Sequence, residues 1–375
     1  MPREHREIDA LMNTTFALIL AGGAGTRFWP ASRSLRPKQL LPLVGADALI
    51  VETVRRVLPL TGDPSRVLIG TGRHLEEPTT RMLPELPAAS FLMEPLPRNT
   101  APAIAWAAAR VARVDPEAVL IVLPSDHHIG DVARFRRALS LSIASARAGV
   151  ITTIGIEPTH PETGFGYIEL APEAAAPAPD VILARRFVEK PDRARAEGFL
   201  AGGKHVWNAG MFIFRARDMM DALRVHLPAL ASGAEEMAAA AGAPDEREVV
   251  SRVFPTLPAV SIDYGVMERL DKIAVIRGDF GWSDLGSWQS AWELGDKDER
   301  GNASPEGTIL IDANNNHVVD LRTTSTHKRV LALVGVTDLV VVETDDALLV
   351  VPRDRAQDVK LVVEALKARG DGALT

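Results

Sequence analysis

Cysteine is absent from the 375-residue chain, which excludes disulfides, thiolate-held zinc and a cysteine nucleophile. An excess of positive charge is absent too. Against 42 Lys and Arg stand 49 Asp and Glu, and the net charge of -7 gives no general attraction to a nucleic-acid duplex or an anionic membrane. No apolar run approaches the roughly 20 residues that cross a bilayer, and the N-terminal "MPREHREIDALMNTT" is charged where a signal peptide is apolar. A soluble cytoplasmic protein with no nucleic-acid or membrane partner is therefore expected. What the chain does have is a hydrophobic fraction of 46%, enough to furnish a real core in one large domain and a smaller one.

Short Val/Ile/Leu runs alternate with helical patterns: "FALILA", "RVLIGT", "APAIAWAAARVARV", "AVLIVLPSDH", "ARFRRALSLSIASARAG" and "VITTIGI". Apolar strands without strict alternation, separated by helices, predict an α/β domain built on a doubly wound, mostly parallel sheet. In such sheets ligands sit beyond the carboxyl ends of the strands, which singles out the loops at Gly22 to Arg27 and Ser125 to His128. After about residue 300 the pattern changes to β-prone runs with Asn, Asp and Gly at the turns, closed by a helical "AQDVKLVVEALKAR". The expected organisation is a tail at 1–14, a catalytic domain at 15–300 and a β-rich domain at 301–375, with "APEAAAPAPD" at 171–180 as a surface loop. The spacing of the C-terminal runs suits a β-helix or a small sandwich equally.

Glycines at 22, 23 and 25 directly after a strand let backbone N–H groups converge into an anion-binding nest, with a plain tight turn as the competing reading. Phe28 stands where a dinucleotide fingerprint needs its third glycine, and no Gly-Lys-Ser/Thr follows as in a P-loop. Arg27 and Lys38 favour the nest, since a planar fork and a mobile point charge together could neutralise a polyphosphate. Asp126 follows the apolar "AVLIVLP" and Asp284 lies in "GWSDLGSW"; both are candidate Mg²⁺ ligands, with turn or helix capping as the alternative. His127 and His128 are adjacent and lack a clustered partner, so local hydrogen bonding suits them better than a transition metal.

The run "LAGGAGTRFWPASRSLRPKQLLPL" resembles the signature of sugar-phosphate nucleotidylyltransferases, and its Trp-Pro and Pro-Lys-Gln details resemble the mannose-1-phosphate guanylyltransferases. "EPLPRNTAPAIAWAA", "VLPSDHHI", "TGFGYIEL", "FVEKP", "WNAGMFIFRA", "SIDYGVMER" and "GWSDLGSW" follow in that family's order, across most of residues 16 to 290. "LVGVTDLVVVETDDALLVVPRDRAQDVKLVVEAL" is similar to the family segment that forms a left-handed β-helix-like domain. Many bacterial members carry a further isomerase module, which this chain has no room for, and no isomerase activity is expected.

The resemblance implies attack of the mannose-1-phosphate oxygen on the α-phosphorus of GTP, assisted by Mg²⁺, giving GDP-mannose and pyrophosphate. It implies a nucleotide cradle at Leu20, Ala21, Gly22, Gly23, Gly25 and Thr26, with catalytic cations at Arg27, Lys38 and Lys190, and Mg²⁺ on Asp126 and Asp284. Glu94, Arg98, Asn99 and Thr100 fall where the family shapes its base and ribose pocket; capping of the following helix by Asn99 or Thr100 is the competing reading. Pro97 stands where most members read Gly and withholds one N–H. Gly164, Glu189, Lys190 and Asn208 are the implied sugar-phosphate contacts. Asp263 and Glu268 match a family segment but receive no catalytic role, and the tryptophans are expected to pack. A homodimer through the C-terminal domain is a further expectation. Two other readings stay open: a sister enzyme for another hexose-1-phosphate or triphosphate, and a non-catalytic nucleotide-sugar sensor.

Overall fold

The computed structural model describes residues 15–375 apart from residues 24, 174–179 and 324–329. The tail expected at 1–14 and most of the Ala/Pro-rich 171–180 segment lie outside the described residues. Among the described residues no helix is long and apolar enough to cross a membrane.

The apolar runs become strands β1 (Thr15–Leu20), β2 (Val67–Gly72), β3 (Phe91–Glu94), β4 (Val119–Pro124), β5 (His128–Ile129), β6 (Thr152–Ile156), β7 (Gly166–Ala171), β8 (Ile182–Glu189), β9 (His205–Arg215) and β10 (Ala274–Gly278). Nine of these form one sheet in the order β3-β2-β1-β4-β9-β6-β10-β8-β7. The four strands at the β3 end are parallel throughout, as the alternation with helices predicts, and β6 and β10 are parallel as well. Between those two blocks β9 runs antiparallel to both β4 and β6, and β8 runs antiparallel to β10 and β7. An apolar run such as "HVWNAGMFIFR" specifies a buried strand but carries no sign of its direction, so sequence periodicity could not anticipate this reversal.

Register then fixes where the informative loops emerge. Leu20 pairs with Pro124 at the carboxyl ends of β1 and β4, and Ser125 N–H donates to the Leu20 carbonyl at 3.0 Å. The glycine loop and the Asp126 loop thus leave the sheet from neighbouring strand ends, the position where open α/β sheets bind ligands. The helix Thr100–Val114 is sunk in the core, with every residue from Ala101 to Ala109 buried. Its alanines allow the helices Ala216–His226 and Pro228–Ala239 to pack closely on it.

Contacts divide the chain into two compact units, each drawn from separate stretches of sequence. The described residues through Gly22, Thr53–Ser125 and Ile129–Trp282 form one unit; Gly23–Glu52, Asp126–His128 and Ser283–Thr375 form the other. The physical reason lies in the aromatics of the glycine-loop segment. Phe28 packs edge-on to Trp288 at 4.9 Å between ring centres, Trp288 Nε1 donates to the Trp29 carbonyl at 3.1 Å, and both rings share a core with Val340, Val342 and Val359.

In this second unit β11 (Trp282–Ser283) ends at its border, and β12 (Ile309–Ile311), β13 (His317–Asp320), β14 (Ala332–Val334), β15 (Leu339–Glu343) and β16 (Leu348–Pro352) lead to the helix Val359–Arg369. β12 pairs parallel with β14 and β13 parallel with β15, the stacking of a β-helix-like coil, while β16 returns antiparallel on β15. Fully buried Asn316 ties the turns together: its amide N–H₂ donates to Asn302 Oδ1 at 3.0 Å and its carbonyl oxygen accepts from Leu339 N–H at 2.9 Å.

Candidate active site

Within the second unit, Gly25, Thr26, Arg27, Lys38, Asp126 and Asp284 line one cavity of about 350 Å³. Lys38 opens a short 3₁₀ turn, Lys38–Leu40, and is almost wholly buried. Its Nζ donates to Asp126 Oδ2 at 3.0 Å and to the Asp284 carbonyl oxygen at 2.6 Å, so one ammonium gathers the two loops that carry the predicted metal ligands. Burial works against the charge of Asp126, but Lys38 and His127 beside it outweigh that and hold the carboxyl below its ordinary pKa. Arg27 is exposed. The cavity also receives Lys360 from the helix Val359–Arg369, a third cation that the sequence reading missed because it sits in an ordinary amphipathic helix far from any motif.

The glycines of the loop have different reasons to be glycine. Gly25 has φ 60, and a Cβ there would stand 2.4 Å from Lys38 Cβ, so the fold itself demands glycine. Gly22 and Gly23 are exposed, and a Cβ on either would meet no atom of the described residues beyond its chain neighbours within 4 Å. At the start of the loop, Ala21 N–H donates to the Gly70 carbonyl at 2.7 Å and Thr71 Oγ1 donates to the Ala21 carbonyl at 3.1 Å, pinning the segment just past Leu20 to β2.

A separate constellation lies in the first unit. Glu189 ends β8 with its side chain only 9% exposed, 3.1 Å from Lys190 Nζ. Burial raises the Glu189 pKa, Lys190 lowers it, and Glu268 raises it again. Glu268 Oε1 accepts the Glu189 N–H at 2.8 Å. Asn208 is held on both sides of its amide: Oδ1 accepts from Thr153 Oγ1 at 3.0 Å and from Gly210 N–H at 3.1 Å, while Nδ2 donates to Asp263 Oδ1 at 3.0 Å. Burial, with Glu189 adding to it, pushes the Asp263 carboxyl up to about 6. Asp263 and Glu268, given no role from sequence, are therefore directly attached to two predicted sugar-phosphate residues. Gly164 is exposed, with its N–H on Glu162 Oε1 at 2.7 Å. The tight approach occurs two residues later, where a Cβ on Gly166 would stand 2.5 Å from Glu189 Oε2 and 3.3 Å from Asn208 Cβ.

Among the described residues seven non-glycine positions have positive φ; five are Asn or Asp, which tolerate it, and the other two are Lys190 at 46° and Leu285 at 48°. Both abut predicted site residues. Backbone held in this sparsely populated region concentrates at functional loops.

Three of the four residues expected at the nucleobase are bonded within the fold, and the fourth, Glu94, is buried. Arg98 donates to the Pro255 carbonyl, and Asn99, itself at φ 64, accepts the Thr100 N–H at 3.0 Å as the cap of the following helix. Thr100 Oγ1 accepts the Ile262 N–H at 3.0 Å. Glu94 is buried, and burial pushes its carboxyl up to about 7.

This arrangement has known counterparts. Residues 16–301 match the nucleotidyl transferase family, and residues 308–366 match a MannoseP isomerase/GMP-like beta-helix domain. The xanthan biosynthesis protein XanB of Xanthomonas campestris pv. campestris is 41% identical over 367 residues, covering 97% of this chain and 76% of that protein. The mannose-1-phosphate guanylyltransferase of Escherichia coli K12 is 38% identical over 363 residues, covering 95% of this chain and 74% of that protein. A crystal structure from Thermus thermophilus, described as a mannose-1-phosphate geranyltransferase, agrees with a TM-score of 0.82 at 36% identity, over 94% of this chain and 99% of that one. The chain thus belongs to the nucleotidyl transferase family, among the relatives that include the mannose-1-phosphate guanylyltransferases.

Proposed function

We propose that this chain transfers GMP from GTP to mannose-1-phosphate, releasing pyrophosphate. The observation that carries the reading is the cavity in which Lys38 joins Asp126 and Asp284 beside Gly25, Thr26 and Arg27. Joining two polyanions requires charge neutralisation and alignment more than a protein nucleophile, and the cavity offers cations, backbone and carboxylates in that proportion.

Arg27 and Lys38 neutralise the triphosphate, and the open backbone at Gly22 and Gly23 lets phosphate oxygens approach where a side chain would intrude. Lys360 adds charge on the same side. In the other constellation Lys190 meets the sugar phosphate, while Glu189 and the fixed Asn208 amide accept from and donate to sugar hydroxyls. Asp263 holds Asn208 in that orientation. Glu94, Arg98, Asn99 and Thr100 shape the base and ribose pocket through the segment they brace.

A divalent ion fits the donor chemistry of the first cavity: two hard oxygen ligands, Asp126 kept ionised by its neighbours, and among the described residues no larger His or acidic cluster that would form a closed cage. Mg²⁺ is the ion that takes one or two carboxylates and completes its shell with phosphate oxygens and water. Bound to Asp126 and Asp284, it would offset charge on the reacting phosphates.

The test is pyrophosphate release with mannose-1-phosphate and Mg²⁺, comparing GTP with ATP, UTP, CTP and dTTP, and glucose-1-phosphate as the competing sugar. Release that requires both GTP and mannose-1-phosphate supports the proposal. Preference for another pair would keep the reaction type and overturn the substrates, and nucleotide-sugar binding without turnover of any pair would favour a sensor.

A further inference from the structure

A second cavity, of about 270 Å³, lies in the first unit at the edge of the large sheet. Its floor is the edge strand β3, through Phe91 and Met93, which alternate with buried Leu92 and Glu94 and so face away from them. Its walls come from the start of the segment after β2, from the helix Thr100–Val114 and from the helix Glu246–Val253. None of the residues assigned to the transferase reaction lines it.

The polar groups around this cavity are unbalanced. Arg110 Nη1 pairs with Glu246 Oε1 at 3.3 Å and Arg247 Nη2 with Glu76 Oε2 at 3.5 Å, both long contacts. Arg73 has no carboxylate partner among the described residues; its Nη2 donates to Ser251 Oγ at 3.0 Å and its Nε–H meets no acceptor. Trp106, only 2% exposed, lines the same cavity, and its indole N–H meets no acceptor among the described residues. Three arginines against two glutamates leave one net positive charge, and Arg73 is the arginine that carries it without a carboxylate beside it.

We propose that this cavity binds a small organic anion, one carboxylate or phosphate group on a compact apolar body. The anionic head pairs with the Arg73 guanidinium, and the body rests on Phe91, Met93 and Val250. The volume is below the roughly 300–1,000 Å³ of sites for drug-sized ligands, which limits the occupant to a small metabolite. The proposal does not depend on the transferase reading.

The Trp106 indole N–H resonance, assigned as the one missing in Trp106→Phe, reports on the site from its wall. Wild-type protein is titrated with phenyl phosphate, benzoate and, as the neutral control, phenol. Saturable movement of that resonance by phenyl phosphate or benzoate is expected, the stronger of the two identifying the head group. Arg73→Met should weaken the binding at least tenfold and Lys38→Ala should leave it unchanged, which separates it from binding at the triphosphate cavity. Should Trp106→Phe fail to fold, calorimetric affinities of the same anions for wild type, Arg73→Met and Lys38→Ala decide the question alone. An unmoved resonance, an Arg73→Met affinity equal to wild type, or equal binding of phenol overturns the proposal.

Discussion

Lys38 Nζ lies 3.0 Å from Asp126 Oδ2 although the two residues are 88 positions apart in sequence. The contact helps hold the Asp126 carboxyl below its ordinary pKa, and in the proposed reaction the same Lys38 is a cation at the triphosphate. Lys38→Ala is expected to lower kcat by about 10²–10³, the usual loss on removing one preorganised donor from a charged transition state. Lys38→Arg should not restore it, because a planar fork cannot replace a compact ammonium bonded to both Asp126 and the Asp284 carbonyl. A kcat near wild type in Lys38→Ala, with only a lower melting temperature, would reduce the contact to a structural ion pair.

The three glycines of the loop should separate cleanly. Gly25→Ala is expected to destabilise the protein by more than about 1 kcal/mol, since it forces a Cβ into both a left-handed backbone and the Lys38 side chain. Gly22→Ala and Gly23→Ala should change stability by less than about 0.5 kcal/mol, as open surface positions do, yet raise the KM for GTP or lower kcat. Thermal melts and initial rates on the three variants check this; loss of stability at Gly22 or Gly23 equal to that at Gly25 would mean that the fold, not a ligand, requires those glycines.

Asp263 gives a pH signature. Its folded pKa of about 6 exceeds the roughly 3.9 of an unfolded aspartate, so between those values the folded state binds more protons than the unfolded one. Its contribution to stability is most favourable below about pH 4 and is lost as pH rises through about 6, after which it stays constant. Glu189, with its raised pKa, acts in the same direction, Lys190 opposes both, and Asn208 bonds to Asp263 without titrating. Asp263→Asn can still accept from Asn208 but no longer titrates. Its melting temperature should match wild type near pH 4, rise above it by pH 7, and its KM for mannose-1-phosphate should increase. Parallel melting curves across that range would contradict the assignment.

Lys360 is exposed, so its removal should leave the melting temperature unchanged while raising the KM for GTP severalfold, with the KM for mannose-1-phosphate unaffected. Equal effects on both Michaelis constants would argue against a place at the triphosphate.

Much of this site was legible because its parts are punctuated in sequence. The glycine loop follows β1 and Asp126 follows β4, and adjacent parallel strands bring such loops together by topology alone. Gly25, Arg27, Lys38, Asp126 and Asp284 accordingly meet in one cavity. The proposed places of Lys360 and Asp263 were not legible. A lysine on an amphipathic helix and an aspartate after a Ser helix cap both have ordinary local explanations, and only tertiary packing brings them to the cavity and to Asn208. The same limit applied to the fold: periodicity located β9 without its direction, and the composition change near residue 300 gave no sign that Phe28 and Trp29 pack with Trp288 and the C-terminal strands.

The most direct measurement is phosphorus NMR of GTP, mannose-1-phosphate and Mg²⁺ incubated with wild type and with Asp126→Ala, after circular dichroism has shown the two to be equally folded. Wild type should convert the substrate signals into those of GDP-mannose and pyrophosphate, and Asp126→Ala should leave them unchanged over the same time. Conversion at the wild-type rate by Asp126→Ala, or no conversion by folded wild type, would contradict the account.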